Sequence, residues 1–87
     1  MAEAHHLKSL ALVGHKGIEM PFVDQVKQLL LDHELVKVKF NDHKERKEEL
    51  SEKLAIQSGA QRVGLLGNTA ILFREHPKPE LRRYSLI

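Results

Sequence analysis

The chain has 87 residues, 41% of them apolar and 5% aromatic, and its 14 Lys and Arg against 12 Asp and Glu leave a formal charge of +2. That is the size of one domain with a single aliphatic core, and the absence of cysteine excludes disulfides and thiolate metal sites. No apolar run approaches a membrane span and Met1 to His6 lack the regions of a signal peptide. A cytoplasmic setting is therefore expected, and a polyanion would have to be held by local clusters of cations rather than by net charge.

Taken in order, Ala2 to Leu7 reads as the remnant of a helix, too short to stand alone. Leu10-Ala11-Leu12-Val13 is a continuous apolar run bounded by Gly14, as expected of a strand covered on both faces. From Pro21 to about Glu34, apolar residues at Phe22, Val23, Val26, Leu29 and Leu30, with His33 on the same side, give the spacing of a one-sided helix. Leu35 to Phe40 alternates, placing Val36, Val38 and Phe40 on one face of a strand and Leu35, Lys37 and Lys39 on the other.

Asn41 to Glu45 opens a second helix, with Asp42 and Glu45 spaced as a capping box. Leu50, Leu54 and Ile56 form its expected buried stripe, Gly59 its stop, and Glu49 with Lys53 an i,i+4 pair on its solvated face. Gln61 to Leu66 and Ala70 to Arg74 read as strands joined around Gly67-Asn68-Thr69. Two prolines beyond Glu75 mark residues 75–87 as an extended or loosely docked tail.

The order is a short helix followed by β-α-β-α-β-β. It predicts an α/β (α+β) two-layer sandwich in which residues 1–87 form one domain, with a four-stranded mixed sheet and helices chiefly on one face. The other face, with Lys37 and Lys39, stays open to a partner, although alternating lysine also keeps an exposed strand soluble.

Between the first strand and first helix stands Gly14-His15-Lys16-Gly17, a G-x-x-G loop carrying a cation. Two glycines three apart bring backbone N–H groups close to a ligand without Cβ in the way, and the helix that follows adds the positive end of its dipole. Lys16 supplies a full charge, and His15 can stack or donate. Two glycines in a tight turn are common, so the loop alone does not decide the matter.

Further motifs carry a resemblance. Ala4-His5-His6-Leu7-Lys8, the loop itself, Asp32-His33-Glu34-Leu35-Val36-Lys37-Val38-Lys39, Ser58-Gly59-Ala60 and Gly67-Asn68-Thr69-Ala70-Ile71-Leu72-Phe73-Arg74 resemble the CRM domain, and within it the stand-alone bacterial YhbY-type members. The resemblance covers about Ala4 to Arg74. It implies a KH-like or initiation-factor C-domain-like fold that binds RNA through G-x-x-G, with bacterial members associated with the large ribosomal subunit precursor. Members usually carry a longer basic helix at the start and a loop reading G-K-N-G, whereas here His15 and Lys16 occupy the middle positions.

The candidate RNA-binding residues are therefore Gly14 and Gly17 for backbone approach, Lys16 for phosphate and His15 for stacking, followed by Lys37, Lys39 and Arg74. Arg74 has an equally good structural reading as an ion-pair partner. Six histidines invite a metal reading, but none has H-x-x-x-H spacing, so neither metal nor cofactor is expected. Nor is an enzyme: no nucleophile-base or carboxylate pair is spaced for chemistry. The reading is a monomeric assembly factor that contacts ribosomal RNA of the large-subunit precursor, with no small-molecule substrate. The alternative is a protein-interaction module that uses the sheet face and has no direct RNA contact.

Overall fold

A computed structural model describes residues 10–82. The helix expected over Ala2 to Leu7 lies outside them. The elements are β1 (Leu10–Val13), α1 (Met20–His33), β2 (Leu35–Phe40), α2 (Lys47–Ser58), β3 (Gln61–Leu66) and β4 (Thr69–Phe73), with 3-10 turns at Lys44–Arg46 and Pro79–Leu81. The sheet order is β1-β2-β4-β3, with β1 parallel to β2 and the other neighbours antiparallel. This is the expected four-stranded mixed sheet.

One face of the sheet makes the core. Ala11, Val13, Val36, Val38, Phe40, Ala70 and Leu72 meet Val23, Val26 and Leu30 of α1 and Leu50, Leu54 and Ala55 of α2, so both helices cover the same side. The alternation of β2 is the reason: a period of two sends Val36, Val38 and Phe40 inward together, all fully buried.

The opposite face differs from expectation at its two ends. Leu35 is fully buried rather than solvent-facing, because it joins Ile71 and Phe73 in a second, smaller apolar cluster. On β1 only Ala11 and Val13 are covered, while Leu10 and Leu12 are exposed. β1 is an edge strand whose outer face meets no helix among the described residues, so its apolar run is buried on one side there.

Local details differ from the expectation at four places. Asp42 and Glu45 form no capping box: a 3-10 turn intervenes, α2 starts at Lys47, and no side chain caps it. Ile56 is 77% exposed, and Ala55 takes its place in the buried stripe. In β3 the register shifts between Arg62 and Gly64, a bulge that leaves Val63 exposed and sets Gly64 opposite Ile71. The Glu49 carboxylate pairs with Arg46 at 3.0 Å, three residues back, and Lys53 acts on it only at longer range. α2 does end at Gly59, in the left-handed conformation at φ 71°.

Candidate nucleic-acid interface

Because β1 and β2 are parallel neighbours, their C-terminal ends lie side by side, and the loops that leave them are tied together. The Val13 carbonyl accepts the N–H groups of Asn41 and Asp42 at 3.0 and 3.2 Å. The Gly14–Gly17 segment is a tight turn closed by Gly17 N–H to the Gly14 carbonyl at 3.0 Å.

The two glycines do different work. Gly17 has φ 72°, a left-handed angle that side-chain-bearing residues rarely adopt, so the turn itself asks for glycine at that position. Gly14 is exposed, is absent from the positive-φ residues, and a Cβ on it would meet nothing within 4 Å. Only Gly17 therefore has the positive φ expected of a glycine loop.

His43 holds the turn from the side. Its Nε2 donates to the His15 carbonyl at 2.9 Å, across 28 residues of sequence. His43 itself takes φ 56°, and its backbone N–H donates to Asp42 Oδ1 at 2.7 Å. The other oxygen of Asp42 lies 3.7 Å from His15 Nδ1, and the His15 side chain is 97% exposed. The loop thus presents His15 and Lys16 outward while its carbonyl side is braced.

The His43 backbone N–H holds the Asp42 carboxyl below its ordinary 3.8, with slight desolvation opposing and the neighbouring His43 and His15 rings adding to the depression. A carboxylate lowered on folding contributes its stabilisation above its unfolded value and loses it as pH falls through the folded one. The brace is therefore complete at neutral pH. A carbon-detected NMR titration is expected to give Asp42 a midpoint below 3.8, and the midpoint should rise in His15→Ala, which removes the ring 3.7 Å from the carboxylate.

α1 does not begin in the loop, as the simplest reading of the dipole would have it. Ile18 and Glu19 intervene; Glu19 is the N-cap, with its carbonyl accepting Val23 N–H at 3.0 Å and its side chain making no cap bond. Between the loop and the start of α1 lies an open groove of about 510 Å³, lined by Gly14–Gly17 together with Glu19, Pro21, Phe22 and Gln25.

Lys39 is exposed on the outer face, in register with Leu12 and Thr69 and one residue row from the end that carries the loop. Lys37 is half-buried two rows further away, opposite Leu10 and Ile71. Arg74 lies at the other end of the sheet, just past the Phe73 that pairs with Leu35. Its guanidinium lies over Gly59 and approaches the Ser58 carbonyl at 3.5 Å, closing the C-terminus of α2. The structure thus brings Gly14, His15, Lys16, Gly17 and Lys39 to one end and leaves Arg74 apart. Sequence reading missed the roles of Asp42 and His43; the one available signal was a histidine three residues after a strand that runs parallel to the loop's own. Among the described residues no group of three His, Cys, Asp or Glu is placed to hold a metal ion.

A family model described as the CRS1 / YhbY (CRM) domain matches residues 1–74. The chain belongs to this family. Among CRM relatives, the Pseudomonas aeruginosa protein named Probable RNA-binding protein PA4753 is 33% identical over 76 residues, which span 86% of this chain and 73% of the relative. Probable RNA-binding protein YqeI of Bacillus subtilis is 33% identical over 75 residues, spanning 85% and 78%. The solution structure of SAV1595 from Staphylococcus aureus has the same fold, with a TM-score of 0.75 at 24% identity over 97% of this chain and 88% of that one.

Within this CRM domain the His33-Glu34-Leu35 corner has a structural task. Glu34 is 1% exposed and stands at φ 64° between α1 and β2. Its carbonyl accepts Arg74 N–H at 2.9 Å and its Oε2 accepts His76 N–H at 2.7 Å. Residues just past β4 are thereby held against the corner, and Arg82 closes the following turn by donating from Nε to the His76 carbonyl at 2.8 Å.

Proposed function

We propose that this CRM domain binds RNA through the Gly14–Gly17 loop and acts in the cytoplasm as a monomeric factor in large-ribosomal-subunit assembly, contacting the precursor's ribosomal RNA without a catalytic step. The observation that carries the reading is Gly14: the fold makes no demand for glycine there, yet the position is bare, exposed and next to Lys16 at the braced end of the sheet. A backbone that a polyanion can approach, beside a lysine with no ion pair of its own among the described residues, is what phosphate contact requires. The names of the relatives support the choice of RNA.

The role would be occupancy: hold an RNA segment in shape through its backbone, then leave. Such binding is governed by phosphate contacts and falls with salt. For three to five contacts on single-stranded RNA, log K against log salt should have a slope of about −2 to −3.5. Fluorescence anisotropy with labelled large-subunit ribosomal RNA fragments measures it, and Lys16→Glu is expected to weaken binding and flatten the slope. A salt-independent complex, or equal binding by the variant, would move the contact to the outer sheet face around Leu10 and Leu12 and favour a protein partner.

A further inference from the structure

We propose that the groove between the Gly14–Gly17 loop and the first turn of α1 receives one nucleobase, and prefers a base whose edge carries N–H donors, guanine first and uracil last, with Glu19 as the acceptor. The proposal rests on the reading of the loop as the phosphate contact.

Size and continuity come first. At about 510 Å³ the groove falls in the range of small-ligand pockets. One wall is the loop itself, so a nucleotide whose phosphate rests on the loop has its sugar and base next to this opening. The facing wall supplies the half-buried Phe22 together with Pro21. An aromatic surface accepts any base, because every base has a π face, and so provides holding without selection.

Selection has to come from polar groups, and the groove has two that the fold leaves unused. Glu19 makes no cap bond and no ion pair, and no side-chain bond engages Gln25 among the described residues. A carboxylate is an odd neighbour for a polyanion. It repels phosphate and, when ionised, can only accept hydrogen bonds. Both properties point the same way: the backbone is driven toward Lys16, and Glu19 faces the base edge. Guanine offers N1–H and N2–H₂ side by side, which a carboxylate accepts in a fork, while the Gln25 amide can donate to the adjacent O6. Adenine and cytosine offer one amino group each. Uracil turns one N–H flanked by two carbonyl oxygens toward the carboxylate, which is the least favourable match.

Glu19→Gln is a clean probe, because α1 loses no side-chain cap and its first backbone bond, from Val23 N–H to the residue 19 carbonyl, is kept. The experiment measures anisotropy of the full chain with a labelled oligouridylate and with the same oligomer carrying a single central G, A or C. For the native chain, binding of the G oligomer is expected to be about five- to tenfold tighter than the all-U oligomer, the low end for a two-bond base contact. In Glu19→Gln that ratio should fall toward one while affinity for all-U rises, since a negative charge near the polyanion has gone. A native chain that binds the four oligomers equally, or a variant that keeps the preference, overturns the proposal. Lys16→Glu separates the two readings: if it abolishes binding of all four equally tight oligomers, the phosphate loop stands and the base site falls. If it changes nothing, both fall.

Discussion

Gly14→Asp is expected to weaken RNA binding strongly without loosening the fold. A Cβ at residue 14 meets nothing within 4 Å and the backbone there is not left-handed, so thermal unfolding should not be lowered. The new carboxylate, however, stands where phosphate is proposed to rest. Two unit charges about 4 Å apart repel by about 1 kcal/mol in water and about 4 at a protein surface. Between those limits affinity falls roughly fiftyfold, a change plain in an anisotropy titration. Gly14→Ala sharpens the test because its two effects have opposite signs. Removing glycine's freedom in the unfolded chain stabilises by about 0.4–1 kcal/mol where the native angles permit, while the methyl group still stands between backbone and ligand. Higher stability with weaker binding is the expected pair. Gly17→Ala should do the reverse in calorimetry, losing about 1–2 kcal/mol because residue 17 is left-handed. If Gly14→Asp binds RNA like the native chain, the loop is not the contact.

The largest effect on stability is expected at Glu34. Glu34→Ala retains the backbone bond to Arg74 but takes the acceptor from His76 N–H, at a position that is 1% exposed. A hydrogen bond to a charged group contributes about 1.5–3 kcal/mol, and a half-buried donor left without its acceptor carries part of its desolvation cost. A loss of about 2–3 kcal/mol, or roughly 10–20 °C in Tm for a domain of this size, should appear in urea or thermal unfolding. Two companions identify the cause. Glu34→Gln keeps an oxygen acceptor and should lose less, and Glu34→Gly should be milder than alanine by about 1 kcal/mol, since glycine accepts the φ of 64° without strain. Equal stability of all three with the native chain would show that the carboxylate is dispensable.

Glu34 also shows where sequence reading runs out. The period-two pattern of β2 and the 3-4 spacing of α1 were legible because each obeys one rule along a continuous stretch: Val36, Val38 and Phe40 face inward together, as do Val23, Val26 and Leu30. Gly59 was legible because a glycine after a helix has one common use. What stayed hidden depends on residues distant in sequence. Leu35 looked solvent-facing by alternation and is buried because Ile71 and Phe73 share its corner. Asp42 had cap spacing, yet its carboxylate serves the neighbouring His43 N–H, because that loop is drawn toward Val13. The bulge at Val63 breaks the period and has no local signature beyond Gly64. At the candidate site, Gly14 to Gly17 were readable as a motif, whereas the brace from His43 comes from 28 residues away and only the parallel pairing of β1 with β2 delivers it.

The same bulge bears on how the molecule keeps its own company. With the order β1-β2-β4-β3, the two margins of the sheet are a strand of four residues and a strand whose ladder steps out of register at its middle. A passing chain seeking to extend the sheet would find too few rungs on one side and a misaligned set on the other. The fold can thus expose Leu10, Leu12 and Leu66 on its strands while offering poor templates for growth, a useful trait for a small protein that carries apolar side chains in water.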